Sequence, residues 1–107
     1  MWKRTAEIQN PNFDDYEKLS NYIHELRSHS MYKFVVDDLK QRVGFVRKEH
    51  ILREDNQSQI FYSTIIFDTE ENLKNYADEE SIQSLWTYLE LSSTQQGFLF
   101  KIYDEEI

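Results

Sequence analysis

The residues most able to do proton-transfer or metal chemistry are the three histidines, His24, His29 and His50. His24 and His29 are five apart, which sets them about 140° apart around a helix and off a common face. Glu25 and His29 do share a face, at i and i+4, but such a pair is ordinarily solvated. His50 has Glu49 beside it. Neighbours on a strand point to opposite faces, so these two cannot form a dyad directly. His50 is kept as a candidate general base or ligand contact, against the plainer reading of a surface or interface histidine. Arg4 is the sharper candidate. Alternation along Trp2, Arg4, Ala6 and Ile8 puts its charge on an apolar face, and a charge there needs a partner. Either an acid or water at the strand end satisfies it, or it anchors a small carboxylate or phosphate. Tyr62, Tyr76 and Trp86 complete the candidate ligand-binding set, as pocket-lining rings or simply as core filling.

The acidic clusters Asp14/Asp15, Asp37/Asp38, Glu70/Glu71 and Asp78-Glu79-Glu80 make poor catalytic pairs. Adjacent helix positions diverge by about 100°, so these read as cap and surface acids. The sequence has no phosphate-cradling glycine loop, no His-Glu-x-x-His and no nucleophile elbow. Cysteine is absent, which removes disulfides, thiolate catalysis and cysteine-ligated zinc. No catalytic residue is assigned, and no cofactor or metal ion is expected.

The net charge is −8 over 107 residues, which argues against a nucleic-acid or anionic-membrane partner. The charge is uneven. Residues 1–53 hold 10 basic and 8 acidic side chains, whereas residues 54–107 hold 2 and 12. That polarity either aids self-association or merely solubilises the surface. Residues 1–8 carry no apolar signal core, and no run approaches the roughly 18 apolar residues of a membrane helix. A cytoplasmic location is the expectation. Aromatics are the excess component at 15%.

The elements that must position these residues follow from periodicity. Residues 2–8 alternate and predict a strand that Asn10-Pro11-Asn12 ends. Phe13, Tyr16, Leu19, Ile23 and Leu26 form a helical stripe that Asn12 or Asp14 could cap and that stops at Arg27 to Ser30. Residues 31–41 fit a second helix capped by Ser30, which we prefer, although Tyr32, Phe34 and Val36 would also suit a strand. Residues 43–53 and 59–67 read as a hairpin across a polar turn at 54–58. The second of these strands is apolar on both faces, with Phe61, Ile65 and Phe67 opposite Ile60, Tyr62 and Ile66. A sheet covered on both sides is implied. Helices cover one side, and a second subunit is a natural cover for the other. Asp68 or Thr69 caps a helix from Glu70, interrupted at Asp78 to Ser81 and resumed by Ile82, Leu85, Trp86 and Leu89. Gly97 turns the chain into a last strand at 98–103, followed by a solvated acidic tail. The order matches the ferredoxin-like βαββαβ pattern, an α+β fold. It predicts one domain over residues 1–107, a four-stranded antiparallel sheet and helices on one face.

The stretch Val43-Gly44-Phe45-Val46-Arg47-Lys48-Glu49-His50-Ile51-Leu52, with Ile66-Phe67-Asp68-Thr69-Glu70-Glu71 through Trp86, resembles the dimeric α+β barrel proteins, the antibiotic-biosynthesis-monooxygenase-like group among them. The resemblance covers roughly residues 41–103. It implies a homodimer joined through the sheet face and a pocket between each sheet and its helices. Haem-degrading members of that group carry an iron-ligating histidine on the second helix. The nearest equivalent here looks like Trp86, which cannot ligate iron. The first functional reading is therefore a homodimer that binds a small apolar or aromatic molecule between sheet and helices, with enzymatic activity left open. The alternative is a non-catalytic protein–protein interaction or assembly module with no ligand pocket. A pocket with a converging polar group would separate the two.

Overall fold

The computed structural model describes residues 1–11, 15, 17–55 and 58–107. Its elements run β1 (Trp2–Asn10), α1 (Lys18–Ser28), α2 (Ser30–Lys40), β2 (Phe45–Glu54), β3 (Gln59–Phe67), α3 (Glu70–Ala77), α4 (Glu80–Gln95) and β4 (Leu99–Glu106). The strands form one sheet in the order β2-β3-β1-β4, with every neighbouring pair antiparallel. This is the ferredoxin-like order, with each helical crossover broken into two helices. The proposed caps Asn12 and Asp14, the stripe residues Phe13 and Tyr16, and part of the 54–58 turn lie outside the described residues.

Both helix breaks have local causes. Between α1 and α2, His29 is extended at φ −70° and ψ 138°, and its Nδ1 accepts the Met31 amide at 3.1 Å. The helix at 31–41 is thus present, but His29 caps it and Ser30 is already its first residue. Between α3 and α4, Glu79 is extended at φ −60° and ψ 137°. Thr69 caps α3 by accepting the Asn72 amide at 3.1 Å, and Glu70 and Glu71 occupy the first turn where the helix dipole favours acids.

The strands exceed the sequence expectation mainly at the C-terminus. β4 continues through the acidic tail to Glu106 instead of ending at Tyr103. Its partner β1 supplies the reason. Arg4 opposes Asp104 and Lys3 opposes Glu105, so the basic residues of one strand neutralise the acids of the other.

The core lies between the sheet and the helices. One cluster joins Leu19, Tyr22 and Ile23 of α1 to Ile8, Phe61 and Phe98. A second joins Leu39, Leu73, Tyr76 and Ile82 to Ile65 and Phe67. Their strand members share one side of the sheet, the inner face. The outer face mixes apolar and polar side chains. Ile51, Ile60 and Tyr62 lie together near exposed Leu99. Beside them, Tyr103 donates to Glu7 at 2.7 Å and Lys3 meets Glu105 at 3.2 Å.

One irregularity decides what the inner face carries. The β2–β3 register shifts between Phe45 and Arg47, leaving Val46 as an extra residue. Phe45 pairs with Phe67 and packs its ring against it at 5.8 Å on the inner face. Strict alternation would continue that face with Arg47 and Glu49. The bulge reverses the parity, so Lys48 and His50 point inward, opposite Ile65 and Ser63. Gly44, at φ +80°, makes the turn just before the bulge, and its carbonyl accepts the Asp68 amide at 2.9 Å.

Candidate functional site

A cavity of about 680 Å³ lies between the inner face and the helices. Its floor is Ile8, Phe61 and Ile65, with Lys48, His50 and Ser63 along the β2 side. Leu26, Val35, Leu39, Leu85, Trp86 and Leu89 form most of the opposite wall. A second hollow adjoins it, sharing Ile23, Arg27, Tyr32, His50 and Phe61 and adding His24 and Ser28. We take it as the mouth. A volume in this range, lined mainly by apolar side chains with a few polar groups, is that of a small-molecule site.

The polar groups are few and specifically held. The Lys48 ammonium donates to Ser63 Oγ at 3.1 Å. Burial pushes its pKa down to about 8, and the nearby Arg27 charge adds to this. Burial, then Lys48, then Arg27 also lower the pKa of His50, which leaves its imidazole neutral at pH 7. The His50 ring lies 6.0 Å from that of Phe61. No carboxylate hydrogen-bonds His50 among the described residues, so no histidine–acid dyad forms.

On the helix side, Tyr22 donates to Ser92 Oγ at 2.9 Å and so ties α1 to α4 at the cavity edge. The indole N–H of Trp86 is buried and has no acceptor among the described residues. A buried donor left without a partner costs about 1–3 kcal/mol. Tyr76 packs on Phe67 at 5.6 Å, and burial pushes its phenol up to about 12. Arg42 lies 5.1 Å over the Tyr76 ring and bonds both Asp38 at 3.0 Å and Glu79. That network clamps the end of α2 to the α3–α4 break.

The structure brings His50, Tyr76 and Trp86 together at this cavity and places the other two candidates elsewhere. Arg4 is on the inner face as alternation implies, but its guanidinium binds Asp104 through two contacts, at 2.7 and 2.9 Å. Its charge is answered within the protein. Tyr62 lies on the outer face, under the Arg53 guanidinium at 5.6 Å. Lys48 was not singled out from the sequence. The available signal was its spacing of two from His50, which makes the pair share a face on any regular strand.

No family model matches the chain, and no curated protein does. Solved structures do. A candidate antibiotic biosynthesis monooxygenase from Deinococcus radiodurans superposes with a TM-score of 0.57 at 14% identity, over 100% of this chain and 92% of that one. A dimeric ferredoxin-like protein from an uncultured marine organism gives 0.53 at 16%, over 98% and 91%. The de novo designed protein Ferredog-Diesel gives 0.50 at 14%, over 97% and 84%. At such identities the likeness shows the fold alone, a ferredoxin-like α+β fold. Among the described residues no helix is long and apolar enough to cross a membrane.

Proposed function

We propose that this chain is a homodimeric binding protein for a small apolar or aromatic molecule, held in the cavity between sheet and helices. The observation that carries the reading is the cavity itself. A domain using its aromatics only as core and interface filling would have closed about 680 Å³ of apolar space with side chains. Instead the space remains, with Lys48 and His50 among the polar residues on its walls. A neighbour of the same fold named for oxygenation chemistry supports a small organic ligand. A dimeric neighbour supports two copies per particle, and the apolar group Ile51, Ile60 and Tyr62 on the outer face is where a second copy would seat.

A thermal-denaturation screen against aromatic acids, flavins and haem tests the binding. A ligand present at a hundred times its Kd stabilises by about 2.7 kcal/mol, or roughly 10 °C for a domain of this size. At least one class should give such a shift, and no shift across all three overturns the reading. Sedimentation tests the dimer: the particle should weigh twice 13.0 kDa, and a species of 13.0 kDa removes the homodimer.

A further inference from the structure

The inner face carries two cations, Arg4 and Lys48, and they are treated differently. Arg4 has Asp104. Lys48 sits over the cavity floor with a neutral hydroxyl, Ser63, as its hydrogen-bond partner, and no carboxylate reaches it among the described residues. A half-buried ammonium without a counter-charge is costly, and ion pairing is the usual remedy.

The surroundings add to the positive charge. Arg27 from α1 acts on both Lys48 and His50, and it pairs with no acid among the described residues. Of the other titratable side chains lining the cavity, His29 stands at the α1–α2 break, His50 on β2, and Tyr22, Tyr32, Tyr76 and Tyr88 on the four helices. Glu25 on α1 is the one acid, and it is exposed. The mouth adds His24. In a chain of net charge −8, the Lys, Arg, Asp and Glu side chains lining this cavity are Lys48, Arg27 and Glu25, of which Arg27 and Glu25 are exposed.

We infer that the cavity takes an acidic amphiphile: an apolar body lying against Phe61, Ile65 and Leu85, with a single anionic head group such as a carboxylate paired to the Lys48 ammonium. The Val46 bulge is what turns Lys48 into the cavity to receive it. This inference rests on the cavity reading of the preceding subsection and adds the charge of the ligand.

Two fluorescent probes of nearly one shape separate the two claims. One is 8-anilinonaphthalene-1-sulfonate, and the other is its neutral parent, N-phenyl-1-naphthylamine. The whole protein should bind the anion at least about tenfold more tightly than the neutral probe at pH 7. Lys48→Met should abolish that preference while neutral-probe binding persists. The substitution keeps an unbranched side chain, one atom shorter, and removes a desolvated charge, so the fold should survive it; an unchanged circular dichroism spectrum checks this. Because Lys48 loses its proton near 8, affinity for the anion should fall about tenfold between pH 7 and pH 9. His50 is already neutral over that window. Equal binding of the two probes, or a preference that survives Lys48→Met, overturns the anionic head group and leaves the cavity reading standing. Failure of both probes to bind overturns the cavity reading itself.

Discussion

Lys48 should cost the apo protein stability at neutral pH, and Lys48→Met should recover it in a pH-dependent way. Burial holds the folded-state pKa at about 8, against an ordinary value of 10.5. Between those values the unfolded chain binds more protons than the folded one, so stability contributed by this group rises with pH. Integrated over the shift, the penalty is about 3 kcal/mol at pH 7 and falls to about 1 kcal/mol at pH 10. Solvent reaching the half-buried side chain screens part of this, leaving about 2 kcal/mol at pH 7. Urea unfolding of wild type and Lys48→Met, at one protein concentration from pH 6.5 to 10, isolates the effect. Titration of distant groups cancels in the difference, and any packing or propensity change adds an offset independent of pH. The variant should be the more stable by about 2 kcal/mol at pH 7, with the gap narrowing to under about 1 kcal/mol at pH 10. A gap that stays flat with pH would show that Lys48 is solvated like any surface lysine. The argument for a counter-ion in the ligand would then fail.

Two further outcomes bear on the frame that holds the site. Both glycines have a positive φ, but Gly44→Ala would force a Cβ onto the Asp68 carboxylate and the Asn72 side chain, whereas at Gly97 the added carbon would meet nothing nearer than the flexible Lys18 ammonium at 4.0 Å. Thermal or urea unfolding should therefore find Gly44→Ala costing about 3 kcal/mol and Gly97→Ala about 1 kcal/mol; equal costs would contradict the turn geometry. The Arg4–Asp104 pair, with side chains 18% and 24% exposed, joins β1 to the end of β4. Arg4→Ala alone should cost about 1–2 kcal/mol, and a double-mutant cycle with Asp104→Ala should give a coupling near 1 kcal/mol; a coupling of zero would mean the acidic tail is held by backbone pairing alone.

Much of this protein is legible in its sequence because local signals and global fold agree. The two-faced strand 59–67 appears within its expected bounds, the break expected at Asp78–Ser81 divides two helices but spans only Asp78 and Glu79, and of the two caps proposed before Glu70-Glu71 Thr69 is the one that bonds. Period-two and period-3.6 patterns of apolar residues record which side chains meet the core, and burial enforces them. The inner placement of Arg4 was legible for the same reason. Its partner was not, since Asp104 lies 100 residues away and is brought opposite only by the β1–β4 register. Tyr62 and Tyr76 look alike as isolated rings; strand parity turns Tyr62 outward, whereas Tyr76 lines the cavity from α3.

The face of β2 was beyond the reach of pattern. A single extra residue at Val46 exchanges which side chains point inward, and a bulge of that kind leaves alternation intact on either side of itself. The sequence alone determined the α+β ferredoxin-like order, the helix breaks and the strand faces wherever the ladder is regular. Tertiary structure decided that Lys48 and His50 share the cavity and that Arg4 does not line it. Which residue a ladder skips depends on how β2 must lie against β3 and the Gly44 turn, a constraint between segments that no single stretch of residues encodes.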